Sequence, residues 1–110
     1  MNSSRKPSIQ EVFLLEFLIS ESSIGLEPHW KEDLLVESMK DGAMGSIYLF
    51  PKGVIDKNRS FGKCVSEYRF ADKDGVEVIA SLNLDDKGAL FELDIWKTDF
   101  SPLISIPEKL

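Results

Sequence analysis

The chain has 110 residues, 13 basic against 19 acidic side chains for a formal net charge of −6, and a single cysteine. A domain of this length buries roughly two thirds of its unfolded surface without staples, and Cys64, with no second cysteine or histidine cluster, can close no internal disulfide and build no zinc knuckle. The negative balance argues against nucleic acid as a ligand, which needs a positive footprint, and favours a basic partner.

That charge is uneven. Residues 8–39 carry seven acids against one lysine, residues 40–69 six basic against three acidic, and residues 70–110 nine acids against four lysines. No apolar run approaches the roughly 18 residues of a membrane span. Arg5 and Lys6 ahead of the apolar stretch 12–19 faintly imitate a secretion signal, but Glu16 interrupts the run and no small-x-small cleavage site follows. A reducing, cytoplasmic setting is therefore expected.

Residues 1–7 read as a flexible N-terminus. Ser8 and Glu11 then have the spacing of a capping box, which predicts a helix within residues 8–21. Its apolar arc is wide, from Ile9, Val12 and Phe13 to Leu18 and Ile19, and covering one face of a sheet would satisfy it. A homodimer interface built on this helix is the alternative. Gly25 and Pro28 break the next stretch, and His29, the sole histidine, sits beside Trp30 as a boundary residue rather than a base.

The span 34–96 reads as an antiparallel sheet of about five strands. Residues 34–39 and 46–50 form its first two strands, joined by the glycine-punctuated turn 41–46. A long irregular loop, 51–62, follows and carries Lys52, Lys57 and Arg59. The loop Lys73-Asp74-Gly75 pairs Phe70 with Val78, Tyr68 with Ala80, Ser66 with Leu82 and Cys64 with Leu84. A four-residue loop, Asp85 to Gly88, pairs Leu84 with Ala89, Leu82 with Phe91, Ala80 with Leu93 and Val78 with Ile95. These registers keep one face apolar. Residues 97–110, punctuated by Pro102 and Pro107, read as an extension packing on the domain.

The opposite face then carries three rows: Glu67, Ser81 and Glu92; Arg69, Ile79 and Asp94; Ala71, Glu77 and Trp96. Arg69 is placed to lean toward Asp94, with Leu90 on the same surface. Trp96 as an aromatic anchor, Ile79 as an apolar contact, and Glu67, Glu77, Glu92 and Asp94 as an acidic rim make this the expected partner-binding surface. The acidic first half, Glu27, Glu32, Asp33 and Glu37, is the alternative. No catalytic constellation, metal-ligand spacing or cofactor motif is present, so no catalytic, metal-binding or cofactor-binding residue is expected.

Two stretches, Asp41-Gly42-Ala43-Met44-Gly45-Ser46 and Glu92-Leu93-Asp94-Ile95-Trp96-Lys97-Thr98-Asp99-Phe100-Ser101-Pro102-Leu103, resemble the signatures of a family of small uncharacterised bacterial proteins. The resemblance runs from roughly Leu34 to Leu103, and the family pattern has a second glycine where this chain has Ala43. It implies no activity, cofactor or binding residue. By size and acidity the chain is also similar to immunity proteins that neutralise interbacterial toxins.

The fold class expected is α+β, an N-terminal helix packed on one face of an antiparallel meander. The function expected is a non-enzymatic module that binds a basic protein, foremost an immunity protein against a basic toxin such as a nuclease, with neither nucleic acid nor membrane as a partner. A small enzyme or ligand-binding domain, with a site near the 41–46 turn and the 51–62 loop lined by Asp41, Tyr48, Arg59 and Tyr68, is a rival. A homodimeric structural or regulatory module is another.

Overall fold

The structure is a computed structural model that describes residues 3–110. Its one α-helix, α1 (Ile9–Ser20), starts where the capping box puts it: the Glu11 N–H donates to Ser8 Oγ at 3.1 Å and the Ser8 N–H to Glu11 Oε1 at 2.8 Å. Five strands follow, β1 (Leu35–Ser38), β2 (Ile47–Phe50), β3 (Phe61–Ala71), β4 (Glu77–Asp85) and β5 (Leu90–Lys97). They form one antiparallel sheet in the order β1-β2-β5-β4-β3. The hairpins β3–β4 and β4–β5 make a three-strand meander, and the β1–β2 hairpin docks on β5, the far side of it. The 51–60 segment therefore carries the chain from β2 to the opposite edge.

Helix α1 lies on one face. Leu14, Leu15 and Leu18 meet Val36, Ile47 and Leu49 of the first hairpin and Val78, Ala80, Leu82, Leu93 and Ile95 of the meander in one buried core. Ile9 and Phe13 stay on the outside of the helix. Ahead of the helix, Arg5 exchanges both backbone hydrogen bonds with Val36 and so closes the free edge of β1. Its guanidinium also grips the Glu11 carboxylate at 2.8 and 3.0 Å. Burial pushes Glu11 up, but that pairing and the Ser8 donors outweigh it and leave its pKa below the ordinary range.

The β3–β4 register agrees with the pattern from Phe70↔Val78 to Ser66↔Leu82. Beyond it, an irregularity between Cys64 and Ser66 brings Cys64 opposite Asn83 rather than Leu84, and a second between Phe61 and Lys63 sets Phe61 opposite Asp85. Gly62 is needed here, since a Cβ on it would lie 2.2 Å from the Asp85 carbonyl oxygen.

The β4–β5 register differs from expectation by two residues. Asp85 N–H bonds the Ala89 carbonyl at 2.8 Å, and Gly88 has φ +85, so the loop is the three-residue Asp86-Lys87-Gly88, matching the 73–75 loop of the β3–β4 hairpin. A bulge then leaves Phe91 unpaired, with Leu84 opposite Leu90 and Asn83 opposite Glu92. Each departure moves the register by one residue in the same direction. Their sum is even, so Leu93 and Ile95 still face the core and Glu92, Asp94 and Trp96 still face out. Only the first two residues change sides: Leu90 is buried in the core rather than exposed, and Phe91 leaves it.

Candidate functional site

The two signature stretches, far apart in sequence, meet at one end of the sheet. Asp41 accepts from the Met44 and Ser46 N–H groups at 3.1 and 3.0 Å and shapes the 41–46 turn. Ser46 Oγ accepts from Ile95 N–H at 2.8 Å, donates to the Ile95 carbonyl at 3.1 Å, and lies 3.3 Å from Asp94 Oδ1. Leu103 N–H donates to the Ala43 carbonyl at 3.1 Å, and a Cβ on Gly45 would press on Leu103 and Ile95 at 3.2 and 3.4 Å. Asp41 and Ser46 are thus spent on structure.

Ala43 stands at φ +63, in the left-handed region where a Cβ is strained. Ala43→Gly is therefore expected to stabilise the protein by about 0.5–1 kcal/mol, the relief of strain exceeding the gain in unfolded-chain freedom. Urea unfolding midpoints at unchanged m value would show it. A lower midpoint would contradict the assignment.

Lys97 is the centre of a second clasp. It is the last residue of β5, the central strand, and its side chain is 1% exposed, with Nζ 2.9 Å from Asp72 Oδ2, 2.6 Å from Asp74 Oδ2 and 3.2 Å from the Pro102 carbonyl. Asp72 also accepts from the N–H groups of Lys73, Ile104 and Ser105 at 2.8, 2.7 and 3.2 Å. Burial pushes the Asp72 carboxyl up. The Ile104 N–H, the Lys97 ammonium and the Lys73 and Ser105 N–H groups outweigh it and hold the pKa at about 2. One carboxylate thus ties the β3–β4 turn, the end of β5 and the C-terminal extension together.

The face away from the helix carries the expected partner-binding residues, in a rearranged order. The rows are Glu67, Ser81 and Asp94, then Arg69, Ile79 and Trp96, while Glu77 lies opposite Thr98. Arg69 does not lean toward Asp94. It sits 3.8 Å from Glu67 and 3.6 Å from Glu77, its neighbours on β3 and β4, because the corrected register puts Trp96 where Asp94 was expected. Trp96 is 40% exposed and packs against Phe100, itself 69% exposed, with ring centroids 5.9 Å apart.

A fourth row joins the two sets of acids that the sequence kept apart. Glu37 lies opposite Tyr48, Tyr48 opposite Glu92, and Glu92 opposite Asn83. Glu37 thus belongs to the outer face. The other three of its set do not join that row: Glu32 pairs with His29 at 2.9 Å in the 28–33 turn, Asp33 follows it, and Glu27 lies beside Trp30 and Pro51. No sequence signal short of the β1–β2 and β2–β5 registers could have placed Glu37 and Glu92 on either side of one tyrosine.

The 51–60 segment folds over the corner of this face next to that row. Arg59, expected to line the rival ligand site, is instead an internal rivet. Its guanidinium donates to the carbonyls of Leu49 and Leu90 and lies 3.4 Å from Asp85 Oδ2, with Phe50 and Phe91 beneath it at 5.6 and 5.1 Å. A cleft of about 400 Å³ remains beside it, lined by Glu37, Tyr48, Phe50, Asp56, Lys57 and Phe91. The four side chains of the expected ligand site are dispersed. Tyr48 and Arg59 share this cleft, Asp41 lines a separate hollow at its own turn, and Tyr68 packs on Phe17 with centroids 4.8 Å apart on the helix side.

Among the described residues no helix is long and apolar enough to cross a membrane. In comparison with curated proteins and with solved structures, nothing matched the chain. One family model does match, over residues 4–107, and so takes in the helix, all five strands and both clasps. The chain belongs to the family described as a domain of unknown function, DUF6984.

Proposed function

We propose that this protein is a non-enzymatic binding module whose outer sheet face receives a basic protein, and that it acts as an immunity protein against a basic, nuclease-type toxin. One observation carries the reading. A sheet needs only one covered face, and here the other leaves Tyr48, Trp96 and Phe100 exposed among Glu67, Glu77, Glu92, Asp94 and Asp99 on a chain of net charge −6. Exposed aromatics ringed by one sign of charge suit a partner of the opposite sign: the rings supply desolvated anchors, and the acids steer the encounter.

Co-expression with the products of neighbouring genes, followed by affinity purification at low and high salt, tests this. A stoichiometric complex with a basic protein is expected, weakened at high salt and weakened about tenfold or more by Asp94→Lys, which reverses charge mid-face. A complex indifferent to both salt and Asp94→Lys would make this face a solvated wall.

A further inference from the structure

The Glu37–Tyr48–Glu92 row refines the surface reading above, on which this inference rests, from a face to a seat. Neighbouring strands lie about 4.8 Å apart, so Glu37 on β1 and Glu92 on β5 flank Tyr48 on β2 at about 10 Å between backbones. The Tyr48 ring is partly exposed between them, and the cleft beside it is open to solvent on the same face. A cation already lies there. Lys57, from the segment folded over the cleft, places its ammonium 3.3 Å from both oxygens of the Glu37 carboxylate, which is 15% exposed. Most of the Lys57 side chain remains in water, and 3.3 Å is long for a charge-assisted hydrogen bond. Such a contact is weak and readily exchanged.

We propose that this row is the seat for an arginine side chain of the basic partner, and that Lys57 is a placeholder displaced on binding. An arginine fits better than a lysine. Its planar guanidinium stacks on a ring while its donors point outward in opposite directions, toward the carboxylates on either side, whereas an ammonium is a compact point charge. The opposite end of the face offers less: there Glu67 and Glu77 share the charge of Arg69, and Asp99 accepts from Ser101 at 2.6 Å, whereas Glu92 accepts from the neutral Asn83 amide at 3.1 Å through Oε1 and keeps its charge uncompensated among the described residues. Exchange of Lys57 for an incoming guanidinium leaves Glu37 paired throughout, so the carboxylate is never left uncompensated in its partly desolvated position.

The test uses the full chain and a nona-arginine peptide, titrated by calorimetry at low salt, with nona-lysine alongside. Nona-arginine should bind several-fold more tightly than nona-lysine. Glu37→Gln should weaken it about tenfold and Tyr48→Leu several-fold. Lys57→Ala should tighten it about threefold or more, beyond the effect of Lys63→Ala, which removes the same charge on β3. Glu77→Gln at the other end should change it by less than twofold. Thermal unfolding identifies any variant that has lost its fold, and Lys57→Ala, which alters only an exposed loop side chain, keeps the proposal falsifiable if Tyr48→Leu or Glu37→Gln does so. If Lys57→Ala and Lys63→Ala act alike, or Glu77→Gln weakens binding as much as Glu37→Gln, the peptide is held by diffuse charge. That overturns the seat and leaves the acidic face standing. Absence of peptide binding also overturns the seat, while the reading of the face is judged separately, by the complex with a neighbouring gene product.

Discussion

Asp72→Ala is expected to destabilise the protein by about 3–5 kcal/mol, the range for removing one partner of a buried ion pair. Against a typical total of roughly 5–15 kcal/mol, that is a large fraction. The loss has three parts. The Lys97 ammonium, 1% exposed, keeps only Asp74, which is itself partly in water, and the Pro102 carbonyl. The Lys73, Ile104 and Ser105 N–H groups lose their acceptor. The C-terminal extension loses its tie to the β3–β4 turn. Adding Lys97→Met to Asp72→Ala should recover part of the loss, since the double variant no longer holds an ammonium without its main counter-ion; urea denaturation of the four-member cycle measures the coupling. Purely additive effects would mean the two side chains are not a pair.

The same carboxylate sets an acid limit. Its folded pKa of about 2 lies below the ordinary 3.8, so the unfolded chain binds more protons between those values. The stabilisation is present in full above about pH 4 and drains away as pH falls through the folded value. Glu11 and Asp85, also held below their ordinary values, act in the same direction. For Asp85, burial opposes the shift, and the Ala89 and Lys87 N–H groups and then Arg59 overcome it. The unfolding midpoint should therefore fall steeply on acidification below pH 4, and less steeply in Asp72→Ala. An equal slope in both would remove Asp72 from the acid response.

Arg59→Ala is the second large expected effect, about 2–4 kcal/mol, because two carbonyl acceptors at the mouth of β2 and β5 lose a charged donor. The β2–β5 ladder stops at Tyr48 and Glu92, next to the Phe91 bulge, and just beyond it the guanidinium bridges the carbonyls of Leu49 and Leu90 while lying against the Phe50 and Phe91 rings. Arg59→Lys should recover little, since one ammonium cannot span both carbonyls and lie flat on two rings. Thermal unfolding of the two variants checks this. A lysine variant as stable as the parent would show that charge alone suffices there. The outcome also bears on the cleft, whose wall beside Tyr48 is held in place by Arg59.

Local chemistry in the sequence determined much of this protein. Ser8 and Glu11 set the helix start, Gly75 the β3–β4 turn, and the alternation through Leu93, Asp94, Ile95 and Trp96 the two faces of β5. Each is a contact between near neighbours or a period-two pattern, which composition and spacing record directly. The 41–46 and 92–103 stretches were visible as a likeness, but their reason was not: Ser46 must reach Ile95 and Lys97 must reach Asp72.

What only the tertiary structure decided depends on residues meeting across the fold. The bulge at Phe91 is stable because Arg59, about thirty residues earlier, occupies it, and no reading of residues 85–97 alone contains that donor. The docking of β2 on β5, which sets Glu37, Tyr48 and Glu92 in one row, was likewise open to several pairings. A strand pattern says which face a residue takes, whereas the strand that lies beside it is chosen by burial of the whole core.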